Sequence, residues 1–120
     1  MCAAFTQRGN LFDLPATQGP LEHIDALVER GAVTVERIVS HGHASPTGFW
    51  YDSPRNEWVV LLTGAGALEF DGVEALHEMR PGDYLHIDAH CRHRVAWTDS
   101  DQPTVWLAVY YPAEPGDESR

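Results

Sequence analysis

The sequence predicts an all-β protein, an antiparallel sandwich or barrel of about eight short strands with one short helix near the N-terminus. Three observations predict it. From Ala32 onward, short runs rich in Val, Ile, Leu and aromatic residues alternate with Gly, Pro, Asp and Ser turns every 6–12 residues or so. The Asp71-Gly72 pair sits between two such runs, as in a hairpin turn. No segment in this region has the length and spacing of the crossover helices that a parallel sheet requires.

Taken in order, residues 1–31 read as an N-terminal arm with a short helix. An edge strand is expected around 11–14. Leu21, Ile24, Leu27 and Val28 recur at helical spacing, and Gly31 is the expected stop. Residues 32–111 read as the barrel. "AVTVERIVS" alternates and is β-branched, and "GFWY" is a short aromatic strand. "EWVVLLTG" is apolar almost throughout, as in a strand covered on both faces. "GALEF" and "VEALHEM" flank Asp71-Gly72, and "RPGD" is a turn. "DYLHID", "HRVAWT" and "TVWLAVYY" complete the strands. The acidic tail, 112–120, is polar and expected to be disordered.

Charge narrows the partners. The chain has 120 residues with 18 acidic and 8 basic side chains, a net charge of −10 with neutral histidines. Phosphate backbones and anionic membrane surfaces attract Lys and Arg, so neither nucleic acid nor a membrane is expected as a partner. Neutral or cationic small molecules, metal ions and further copies of the chain fit better. Two cysteines, Cys2 and Cys91, do not make a disulfide framework. The N-terminus lacks a basic region followed by a long apolar run, so a reducing cytoplasm is the expected location.

Two stretches resemble the motifs of the cupin superfamily. Glu57 is followed by "WVVLLT" and then Gly64, matching the end of the first cupin motif (Glu, six residues, Gly). In the second motif, Gly82 and His93 fall in place, while Asp88, His90 and Trp97 stand where the family has Pro, Gly and Asn. "RPGDYLHI" is also similar to cupin sequences. Over residues 35–110 or so, the resemblance implies a jelly-roll β-barrel with a small-molecule or metal site inside. It carries Glu57 and His93 onto the ligand positions. The two histidines that metal-holding cupins place shortly before the glutamate are here Trp50 and Asp52. A His-x-His does exist, His41-Gly42-His43, but it lies about nine residues earlier.

Two registers therefore compete. In one, the strand around 49–52 lines the pocket with Trp50 and Asp52, and His41 and His43 lie on the preceding loop. In the other, residues 44–56 form an enlarged loop and His41 and His43 are the motif histidines. Side chains two apart on a strand share a face. Two imidazoles so placed, with Glu57 and His93, would suit Zn, Fe, Mn or Ni. Alternation from Glu57 turns Val59 and Leu61 inward, and Trp58, Val60 and Leu62 outward. Alternation from His93 turns Cys91 and Trp97 inward. An apolar outer face needs a cover, which predicts a homodimer.

Three functions stay open. One is a metal-binding cupin with oxygenase, isomerase or lyase chemistry, using His41, His43, Glu57 and His93. The second is a metal-free small-ligand binding or sensing module with Trp50 and Trp97 in its pocket. The third is a non-catalytic dimeric assembly protein.

Overall fold

The computed structural model describes residues 7–16 and 19–114. Eight strands follow one another: β1 His23–Arg30, β2 Val33–Ser40, β3 Arg55–Thr63, β4 Gly66–Phe70, β5 His77–Met79, β6 Tyr84–Ile87, β7 His93–Thr98 and β8 Thr104–Pro112. They form a five-stranded sheet, β1-β2-β8-β3-β6, facing a three-stranded sheet, β5-β4-β7. Every strand pairing is antiparallel.

Alternation decides what lies between the sheets. Along β3, Glu57, Val59 and Leu61 are buried, while Trp58, Val60 and Leu62 are half-buried on the other face. Along β8, Trp106 and Ala108 face the same interior. With Leu68, Met79 and Ile87 they form the apolar core.

The helix expected between residues 20 and 31 is corrected to a strand. Residues 23–30 pair with β2 from His23↔Val39 to Arg30↔Val33, with a bulge between Ala26 and Val28. Leu27 is the extra residue of the bulge, so Ile24 and Ala26 pair with Ile38 and Glu36 on one face while Val28 pairs with Val35 on the other, a spacing that counts like a helix in the sequence. Gly31, with φ 57°, opens the two-residue turn to β2 instead of ending a helix. The barrel therefore includes β1.

Three further segments differ from expectation. Residues 11–14 form a turn followed by irregular chain, not a strand. The Leu11 and Asp13 carbonyls accept hydrogen bonds from Arg37, which also pairs with Asp25. In "GFWY", only Tyr51 pairs, in a single bridge to His93. After Asp71-Gly72 the chain runs irregularly to β5, so β4 and β5 are joined by a longer connection than a two-residue hairpin.

Gly64 shows why a glycine closes the first motif. Its φ is 85°, and a Cβ there would lie 2.3 Å from Thr104 Oγ1 and 2.7 Å from Thr104 Cα. Gly64→Ala is expected to lower unfolding free energy by about 2 kcal/mol or more, because left-handed strain and a backbone clash add. Urea denaturation checks this.

Candidate functional site: an acidic, aromatic cavity inside the barrel

A cavity of about 110 Å³ lies between the sheets. Ile24, Ile38, Val59, Leu68 and Val95 give it apolar walls, and Tyr51, Trp106 and Tyr110 give it aromatic ones. Its polar groups are Glu22, Glu36, Glu57 and His93. A cavity of roughly 150 Å³ lined by hydrocarbon accommodates benzene, so the space suits a small guest.

Glu57 opens the inward face of β3, and His93 starts β7 on the opposite sheet. His93 Nε2 lies 3.4 Å from Glu57 Oε1. Glu57 is 7% exposed and His93 6%. His93 Nδ1 donates to the Cys91 carbonyl at 2.9 Å, which fixes the other nitrogen, Nε2, toward Glu57. The pair can thus hold one proton between Nε2 and Oε1. Burial disfavours the imidazolium, but the hydrogen bonds to Glu57 and the Cys91 carbonyl, with the charge of Glu57, outweigh it, and the His93 pKa is raised.

The tyrosines complete the network. Tyr51 stacks on His93 with ring centroids 5.5 Å apart and donates its hydroxyl to Glu22 Oε1 at 3.2 Å. Ser40 donates to Glu22 Oε2 at 3.1 Å. Tyr110 hydrogen-bonds Glu57. Burial first, and the surrounding carboxylates second, push both phenols up, so both remain neutral donors. The Glu36 carboxyl is likewise raised, first by burial and then by the charge of Glu57.

The remaining sequence-derived candidates lie elsewhere. The Tyr51↔His93 bridge turns Tyr51 inward, so its neighbours face away from the cavity by alternation. Trp50 packs beneath the Arg92 guanidinium, 5.5 Å from the ring centroid. Asp52 pairs with His90 at 2.8 Å on the surface. Cys91 precedes β7, lies in a turn and is exposed. Trp97 is 37% exposed. A bulge causes this: Leu68 pairs with Val95 and Ala67 with Trp97, leaving Ala96 as an extra residue that reverses the alternation. Leu61 is fully buried in the core but does not line the cavity, whereas Val59 does.

His41 and His43 also lie away from it. The His43 ring accepts from the His41 backbone N–H at 2.9 Å and donates from Nε2 to the Gly19 carbonyl at 3.0 Å. Both of its nitrogens are engaged. Among the described residues no group of three or more His, Cys, Asp and Glu is arranged to hold a metal ion. The cavity offers one imidazole, and two phenols stand beside Glu57 and His93. That donor set does not fit a transition-metal site of the His-rich kind.

Sequence reasoning missed Glu22, Glu36, Tyr51, Trp106 and Tyr110. Glu36 was findable, because it alternates with Ile38 and Ser40 on one face of β2. Trp106 and Tyr110 alternate in the same way on β8. Glu22 and Tyr51 carry no periodic signal, since neither lies inside a strand.

Two stacked antiparallel sheets enclosing a cavity with a Glu–His pair define a small β-barrel with an internal pocket. A family model described as a cupin domain matches residues 35–110, and the chain belongs to the cupin family. A candidate mannose-6-phosphate isomerase from Ralstonia eutropha JMP134 is 53% identical with a TM-score of 0.85, covering 90% of this chain and 100% of that one. Two further structures show the same fold. A cupin superfamily protein from Desulfitobacterium hafniense DCB-2 is 15% identical with a TM-score of 0.67, covering 82% of this chain and 84% of its own. A cupin 2 conserved barrel domain protein from Salinispora arenicola CNS-205 is 18% identical with a TM-score of 0.66, covering 90% of each chain. No protein with a curated description matches the chain. No helix among the described residues is long and apolar enough to cross a membrane.

Proposed function

We propose that this cupin binds a small molecule in the barrel, against the Glu57–His93 pair, without a resident metal. The observation that carries the reading is the cavity itself: apolar and aromatic walls with a few convergent polar groups, the usual make-up of a ligand site. NMR titration with a library of benzene-sized fragments tests it. Binders are expected to shift the Val59, Leu68 and Val95 methyl signals. Val59→Phe, which fills the cavity, is expected to abolish those shifts while the circular dichroism stays unchanged. Fragments that bind elsewhere, or none that bind, would remove the proposal.

A second reading is isomerase chemistry. It is favoured by the proton held between His93 and Glu57 and by the name of the Ralstonia relative. Such a pair can take a proton from a carbon beside a carbonyl and return it to a neighbouring position. Solvent deuterium exchange into small aldoses and ketoses, abolished in Glu57→Gln, would support it.

A divalent Zn, Fe, Mn or Ni ion held by Glu57, His93 and one of His41 and His43 would require the 41–54 segment to refold. Elemental analysis of untagged protein is expected to find less than about 0.1 equivalent of any transition metal. Near-stoichiometric metal that falls in His93→Ala would reverse this part of the proposal.

The outer face of the five-stranded sheet carries half-buried Trp58, Val60 and Leu62, and Tyr84 is 64% exposed. Homodimerisation through that face in a reducing cytoplasm, where Cys91 stays a thiol, completes the reading. Light scattering is expected to give twice the mass of 13.4 kDa.

A further inference from the structure

The donors and acceptors facing the cavity are unequally committed. Tyr51 gives its only hydroxyl proton to Glu22, and Tyr110 hydrogen-bonds Glu57. The Nδ1–H of His93 is held by the Cys91 carbonyl, and Nε2 faces Glu57. What remains available to a guest is mainly carboxylate lone pairs. Among the described residues, no hydrogen bond or ion pair engages Glu36, and no Lys or Arg lines the cavity. Arg55 is the cation that acts on Glu36 from outside. It is held by the Ala32 carbonyl and Thr34 Oγ1 and stacks over the Tyr110 ring at 5.1 Å. Even with His93 protonated, the Glu57–His93 pair is only neutral, so the charges of Glu22 and Glu36 are left unbalanced inside. The three aromatic walls present further electron-rich faces.

We infer that the ligand of this cavity is a small organic cation, a compact amine or ammonium that brings its own N–H donors, and that Glu36 is the carboxylate that selects it. This rests on the reading of the cavity as a ligand site. It also separates the chain from the substrate named for its Ralstonia relative, because a phosphate dianion would meet three carboxylates, no Lys or Arg, and one imidazole already engaged by Glu57.

Three guests of similar size but different charge, together with the larger mannose 6-phosphate, test the inference. Binding of tert-butylammonium, tert-butanol, pivalate and mannose 6-phosphate is followed by NMR shifts of the cavity methyls at pH 7. The ammonium is expected to bind at least about 10-fold more tightly than the alcohol, with no detectable binding of either anion. In Glu36→Gln that preference is expected to shrink to about 2-fold or less. Equal binding of ammonium and alcohol, binding of either anion, or an unchanged preference in Glu36→Gln would overturn the cation assignment and leave the ligand site standing. Failure of all four, with the fragment library also silent, would remove both.

Discussion

Replacement of Glu57 by alanine is expected to lower the unfolding free energy by about 3 kcal/mol, because it leaves a buried imidazole facing Nε2 into apolar space and strips Tyr110 of its acceptor. For a chain of this size that corresponds to a fall in melting temperature of about 10 °C. The loss is bounded because His93, unlike a lysine or arginine in its place, can shed its proton and become neutral. Glu57→Gln keeps the shape and an acceptor for the Tyr110 hydroxyl, and is expected to cost about 1 kcal/mol.

The same pair sets a pH dependence. Since the folded protein holds the His93 proton more tightly than an ordinary histidine of pKa 6.5, the stabilisation is full below 6.5 and is lost as pH climbs through the higher folded value. The melting temperature of the wild type should therefore decline from near neutrality upward, and the decline should flatten in His93→Gln. Glu36 also has a raised pKa, so its contribution is full below the carboxylate value of 4.5 and is lost above it, in wild type and His93→Gln alike. Calorimetry from pH 5.5 to 8.5, approximately the span over which histidines titrate, distinguishes the two. A parallel decline in wild type and His93→Gln would show that the pair contributes no such stability.

Trp106→Ala is expected to cost about 4 kcal/mol, since the residue is 3% exposed and joins the core to the cavity wall. Its effect should be coupled to Gly66. A Cβ on Gly66 would lie 2.7 Å from Trp106 Cζ2 and 3.2 Å from the Trp97 carbonyl oxygen. Gly66→Ala alone should be destabilising by about 2 kcal/mol, but by appreciably less once the indole is gone. A double-mutant cycle by urea denaturation measures the difference. Strictly additive losses would mean that the Trp97 carbonyl, not the indole, demands a glycine at this point.

These cases also show which parts of the molecule were legible in the residues. The alternation of β3 placed Val59 and Leu61 inside and Trp58 outside, because a long central strand keeps one pleat from end to end. The spacing from Glu57 to Gly64 and the position of His93 in the second motif identified two cavity residues from opposite sheets. Legibility failed where one residue was inserted. Leu27 made a strand count like a helix, and Ala96 turned Trp97 outward against simple alternation. It also failed at Trp50 and Asp52, where the choice between Tyr51 and its neighbours rests on a single bridge to His93 that no local pattern announces.

That bridge belongs to a longer seam. The irregular stretch from His43 to Tyr51 runs beside β7, exchanging hydrogen bonds between Ser45 and Val95, between the His43 carbonyl and Thr98, and between the Ser45 carbonyl and Arg94. A bare β7 would be an open rim of amides and carbonyls on which a neighbouring polypeptide could nucleate fibrils. The stretch acts as a selvedge that finishes the weave, so shortening it to bring His41 and His43 nearer the interior would invite aggregation before it gained a ligand.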